Sequence, residues 1–143
     1  MSNFSLRLKD CINERELTQS SLAEATGISH SNVSGFLSGN HMPYFEHFIA
    51  LLTFFECSAD YLLGLSDLHS EEPLHPVPPF GIRLREVLKE YKTSQGKLIR
   101  ELPVSASVLY RWLSGKSQPT IPMLIKLANH FDCSVDYLIG RVK

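Results

Sequence analysis

The chain has 143 residues, 43% hydrophobic and 20% charged, and its 14 Lys plus Arg against 15 Asp plus Glu leave a formal net charge of -1. This is a globular composition with room for one medium domain or two small ones, and no stretch approaches the roughly 18 to 20 apolar residues of a membrane span. Three cysteines without CxxC spacing exclude a full disulfide framework and a four-ligand zinc site, and reduced, mostly buried thiols are expected. The N-terminal MSNFSLRLKDC lacks the apolar core of a signal peptide, so a cytoplasmic protein is expected. A pI near 6.6 runs against the basic footprint usual in nucleic-acid binders.

In chain order, Phe4, Leu8, Cys11 and Ile12 recur at three and four residues, the spacing of an apolar helix face. Thr18 is placed to cap a second helix, which Gly27 ends where a left-handed residue costs least, and Ser29 caps a third. Phe45, Phe48, Ile49, Leu52 and Phe55 return to helical spacing, and Ser58 caps a fifth helix with Asp60 just inside its start. The run LHSEEPLHPVPP, Leu68 to Pro79, holds four prolines, which forbid regular helix and favour extended chain. Beyond it the helix starts resume at Ser94, Ser105, Thr120 and Ser134, with Asp136 inside the last. Pro103 stands where Gly27 stood, so that turn requires a different backbone. Strand-like alternation is absent.

Residues 4 to 67 align without a gap on residues 80 to 143 at a constant offset of 76, with 21 of 64 pairs identical. The identities include Phe4 and Phe80, Arg7 and Arg83, Gln19 and Gln95, Leu22 and Leu98, LSG at Leu37 and Leu113, Pro43 and Pro119, and CS-DYL-G at Cys57 and Cys133. Such repetition implies one fold used twice. The expected organisation is a domain at 1–67, a Pro-rich linker at 68–79 and a domain at 80–143, each domain all-α with five short helices. Fully extended, the 12-residue linker reaches about 37 Å at roughly 3.1 Å per residue.

Two short helices joined by a tight turn recur in TQSSLAEATGISHSNVSGFLSG, Thr18 to Gly39, and in SQGKLIRELPVSASVLYRWLSG, Ser94 to Gly115. Leu22, Ala23, Ile28, Val33 and Phe36 supply the contacts that hold such a pair, with Ile99 in place of Ala23 in the second copy. The arrangement leaves one face of the third helix exposed, and a helix of that kind fits the DNA major groove.

Both copies resemble the lambda repressor and Cro type of helix-turn-helix domain, the XRE family. The TQxxLA start, the turn, the SG after the third helix, the proline, and the closing SADYLLG or SVDYLIG carry the likeness in order. It implies two tandem five-helix domains binding double-stranded DNA in a bacterial or phage transcriptional regulator, commonly paired on two half-sites. Many members join the first helix to the third by an arginine and a glutamate. Here Ile12 with Leu37, and Leu88 with Leu113, replace that ion pair by apolar residues, an exchange that is often neutral or stabilising.

Carried onto matching positions, the likeness makes Gln19 and Gln95 phosphate contacts at the start of the second helix. It makes His30, Ser31, Asn32, Ser34 and Gly35 base-facing in the first copy, and Ala106, Ser107, Val108, Tyr110 and Arg111 in the second. A guanidinium can donate two parallel hydrogen bonds to guanine O6 and N7, which suits Arg111, although a phosphate contact suits it too. Tyr110 has the chemistry for a thymine methyl, a phosphate or a partly buried place. Lys97, Lys116 and Ser117 suit phosphate contacts on the same face. Trp112, at the Phe36 position, belongs to the core, as do Cys57 and Cys133.

No catalytic constellation, metal set or phosphate loop is legible, so no enzyme activity, cofactor or metal is expected. The leading expectation is a sequence-specific regulator, a repressor. The alternative makes the first domain a dimerisation or protein-interaction module, as in an adaptor or antitoxin-like protein. That domain has no Lys or Arg from Glu16 through Asp67, and its fourth helix carries surplus apolar residues at Ala50 and Phe54, which suit core or a subunit or interdomain contact. A homodimer or an interdomain pseudo-dimer fits either reading. Net charge divides sharply: residues 1–67 hold 3 basic and 8 acidic side chains, residues 80–143 hold 11 and 5, and the linker holds two acids. The sum of -5, -2 and +6 is the overall -1, so the second domain is expected to be the principal DNA reader.

Overall fold

The computed structural model describes residues 3–70 and 72–143. Met1, Ser2 and Glu71, the last of these within the expected linker, lie outside the described residues. The chain forms two compact all-helical units, Met1–Leu74 and His75–Lys143. The first contains α1 (Asn3–Glu14), α2 (Gln19–Thr26), α3 (His30–Ser38), α4 (Phe45–Phe55) and α5 (Ala59–Leu62). The second repeats the order with α6 (Phe80–Glu90), α7 (Gln95–Glu101), α8 (Ala106–Ser114), α9 (Ile121–Phe131) and α10 (Val135–Ile139).

Side-chain chemistry starts the helices where the sequence marks them. The hydroxyls of Thr18, Ser29, Ser58, Ser94, Ser105, Thr120 and Ser134 each accept a backbone N–H from the first turn of the helix they precede. These bonds satisfy donors that an α-helix leaves open at its N-terminus. Thr18 goes further, because Ser21 returns a bond to its backbone and closes a capping box.

Each unit has its own core. Phe4, Leu8, Leu22, Val33, Phe36, Leu51, Leu52 and Leu62 are buried in the first, and Phe80, Leu84, Leu98, Leu109, Trp112, Leu124, Leu127 and Leu138 in the second. Ile12, Leu37, Leu88 and Leu113 are all buried, and α1 packs on α3 as α6 packs on α8. The two apolar pairs therefore occupy core where the resembled family has charge. Cys57 is buried as expected, whereas Cys133 is only half-buried.

A repeated arginine locks the ends of each unit together. Arg7 Nη1 donates to the carbonyls of Tyr61 at 2.7 Å and Ser66 at 3.0 Å, and its guanidinium stacks 4.1 Å from the Tyr61 ring centroid. Arg83 donates to the Tyr137 carbonyl at 2.7 Å and lies over the Tyr137 ring. Both arginines satisfy carbonyls at the C-terminal end of the last helix, so α1 and α6 clasp α5 and α10 respectively.

Part of the surplus apolar face of α4, at Phe54, is covered within its own unit. Arg15 donates to the Phe54 and Phe55 carbonyls, and its guanidinium covers both rings at 5.6 and 5.3 Å. Ala50 and Phe54 are half-buried. The proline-rich segment is not free chain throughout. His69 stacks on Tyr61 at 4.1 Å, and the His75 N–H donates to the Arg141 carbonyl at 2.7 Å while Arg141 returns a bond to His75. The reach of a fully extended 12-residue tether is thus reduced.

Candidate nucleic-acid interface

The turn between the second and third helices takes two forms. After α2, Gly27 adopts φ +75°, its N–H donates to the Ala23 carbonyl, and Ile28 drops into the core. After α7, Leu102 is extended at φ -123° and ψ 154°, Pro103 follows, and Val104 supplies the buried residue. A proline cannot adopt the positive φ that Gly27 uses, so the second copy reaches the same place by an extended path.

On α8, Leu109, Trp112 and Leu113 point inward, and Ala106, Ser107, Val108, Tyr110 and Arg111 are exposed. Tyr110 is 62% exposed, which rejects the partly buried option for that ring. Beyond the helix, Gly115 takes φ +80°, and the N–H groups of Lys116 and Ser117 both donate to the Arg111 carbonyl. That turn folds Lys116 back, setting its Nζ 5.9 Å from the centroid of the Tyr110 ring. Tyr110 and Lys116 therefore share one outward surface, and Arg111 emerges beside them. Gln95 and Lys97 are exposed on α7, and Ser117 is half-buried.

The matching face of α3 is built differently. His30, Ser31 and Ser34 are exposed, Asn32 is half-buried, and Gln19 is exposed on α2. Gly35, which the sequence places toward a base, is buried instead. The His41 ring covers it so closely that a Cβ added there would meet His41 Cε1 at 1.9 Å. His41 also packs edge-on against Phe36 at 5.3 Å and helps line a cleft of about 370 Å3 with Asn32, Phe36, Met42, Tyr44 and His47. At the equivalent places the second unit has Arg111 and Ser117, so a small residue and a ring have been exchanged for a long side chain and a small one. Sequence reading missed this role for His41. The signal was a glycine in mid-helix opposite an arginine in the repeat.

Among the described residues, no group of three or more His, Cys, Asp or Glu is placed to hold a metal ion. Burial pushes the Cys11 thiol above its ordinary value, the direction of an inert core thiol rather than a nucleophile. Among the described residues, no helix is long and apolar enough to cross a membrane.

Two five-helix units, each presenting its third helix beyond a short turn, define a tandem helix-turn-helix protein. A family model described as Helix-turn-helix matches residues 8–62 and again 84–138, and the chain belongs to this family, of the XRE type. Both matches keep the 76-residue offset of the repeat. The chain is also 33% identical over 64 residues to an uncharacterized HTH-type transcriptional regulator, YobD, of Bacillus subtilis (strain 168). That similarity spans 45% of this chain and 57% of the relative, so a little over half of the relative's length is matched. No solved structure matches the chain.

Proposed function

We propose that the chain is a sequence-specific double-stranded DNA-binding transcriptional regulator, a bacterial or phage-type repressor, whose second unit is the principal reader. The observation that supports this most is the outward face of α8, where Arg111, Tyr110 and Lys116 stand together in a unit with a net charge of +6. Arg111 and Tyr110, with Ser107 and Ala106, would face base edges. Gln95, Lys97, Lys116 and Ser117 would hold phosphates and fix the register. Binding of this kind needs no cofactor and involves no catalytic step.

A second reading is favoured by the covered Gly35. The first unit offers an imidazole where the second offers a guanidinium, and it has no Lys or Arg from Glu16 through Asp67. That unit then serves dimerisation or protein interaction, while His30, Ser31, Asn32, Ser34 and Gln19 contribute little to DNA affinity. Selection of bound duplexes from a random pool by the full chain tests both readings. One conserved half-site means a single reading unit, a palindrome means a dimer of reading units, and two unlike half-sites in tandem mean that both units read. Recovery of no preferred sequence would defeat the regulator reading.

A further inference from the structure

An open, shallow groove of about 460 Å3 runs along the second unit from α6 to the start of α7. Its walls carry Arg85, Lys89 and Lys92, its floor includes Leu88, and it ends at Thr93 and Gln95. Arg85 and Lys89 are four residues apart on α6 and so share a face. Lys92 is turned toward them by a left-handed backbone, φ +52°, with its N–H donating to the Lys89 carbonyl at 3.2 Å. The next N–H, of Thr93, donates to the Leu88 carbonyl at 2.9 Å and fixes the turn. All three cations are exposed, and among the described residues none is ion-paired with a carboxylate, in contrast to neighbouring Arg83 with Glu86.

We propose that Arg85, Lys89 and Lys92 form a second phosphate-binding strip that holds the DNA backbone beside the reading helix of the second unit. The inference rests on the DNA-binding reading above and extends its footprint. Three like charges held along one groove repel one another, and a polyanion lying in the groove relieves that repulsion. Continuity with Gln95 places the strip next to the helix that precedes α8, so one duplex can meet both surfaces. An open groove without a buried polar side chain suits an extended phosphate backbone better than an enclosed small anion. The fold does not require these charges, because the first unit has Lys9, Asn13 and Glu16 at the same places.

The test uses the full chain, a duplex recovered by selection and a duplex of scrambled sequence, with affinity measured across salt concentrations. In the triple variant Arg85→Gln, Lys89→Gln, Lys92→Gln, the slope of log affinity on log salt should fall by about 2.7, three phosphates at about 0.9 each. Between 50 and 200 mM salt the wild type then loses about 40-fold more affinity than the variant. The slope should fall equally on both duplexes, because backbone contacts carry no sequence information. A Lys126→Gln, Lys143→Gln variant removes charge elsewhere on the same unit and should leave the slope within error. An unchanged slope in the triple variant, a loss confined to the selected duplex, or an equal loss per charge in the control would each overturn the strip while leaving the regulator reading intact. Failure of the wild type to bind either duplex would overturn both.

Discussion

Arg111 and Gly35 occupy the same place in the repeat, and the residues around them differ. Arg111 is exposed, with small Ser117 after the turn that follows, whereas the His41 ring at the equivalent place covers Gly35. Replacing Arg111 by alanine should therefore weaken binding to the selected duplex by about 1 to 3 kcal/mol and relax preference at one base pair. Binding of the Arg111→Ala protein to a panel of single-base operator variants measures this, and equal losses on every variant would identify a phosphate contact instead. Glycine at 81 is a different case. A methyl there would lie 2.6 Å from the Trp112 carbonyl oxygen and 2.7 Å from that of Leu113, backbone atoms that cannot turn aside. The first unit has Ser5 at this position, with its hydroxyl donating to the Phe36 carbonyl at 2.6 Å, so the two units seat their first and third helices differently. Gly81→Ala should cost about 1 to 3 kcal/mol by overpacking. Gly96→Ala, whose nearest neighbour is the mobile end of Arg100 at 3.4 Å, should instead stabilise α7 by roughly 0.5 to 1 kcal/mol. Denaturant midpoints of the two variants, shifted in opposite directions, would bear this out.

Helix starts were the most legible elements, because a cap is a local bond between a hydroxyl and an N–H three residues on. Thr18, Ser29, Ser94, Ser105 and Thr120 all make the bonds their spacing predicts. The ties between elements were not legible, since they join residues far apart in sequence through backbone carbonyls, which have no sequence signature. The identity of Arg7 and Arg83 marked them as demanding positions, but only the fold shows the clasp on Tyr61 and Tyr137. A tie between two side chains, also distant in sequence, joins α7 to α9, where the His130 Nε2 lies 2.5 Å from Glu101 Oε2. That bond, more than the nearby Lys97 and Arg100, holds the Glu101 carboxyl below its ordinary value of 4.5. A carboxyl lowered in the folded state contributes stability that is present above its unfolded value and lost as pH falls through its folded one. Melting temperatures of the wild type should exceed those of Glu101→Gln at pH 6, and the gap should close on acidification below about pH 4.5. A gap constant from pH 6 to pH 3 would show that the carboxylate's charge contributes nothing to the tie.

For the whole molecule, the compact units sharpen a division that the net charge conceals. Residues 1–74 hold 3 basic and 10 acidic side chains, a net of -7, and residues 75–143 hold 11 and 5, a net of +6, which together give -1. Attraction to phosphate acts over a Debye length of about 8 Å at physiological salt, so under the proposed function each unit would meet DNA with its own charge rather than with the sum. The composition alone pointed away from nucleic acid because it averaged two unlike bodies. The repeat, legible from 21 identities, was what allowed the charge to be divided between two halves. An acidic first unit can approach a duplex only against repulsion, which its three histidines on or near α3, His30, His41 and His47, do little to offset when neutral. In the full chain, Lys97→Gln with Lys116→Gln should lower the salt slope by about 1.8, two phosphates at about 0.9 each, and weaken binding to every duplex. Replacing His30, which is exposed, and Asn32, which is half-buried, by alanine should change affinity by no more than about twofold at neutral pH, the scale of a substitution outside the main contact. Comparable losses from the two pairs would show that the first unit reads DNA despite its charge, and the division of labour between the units would have to be abandoned.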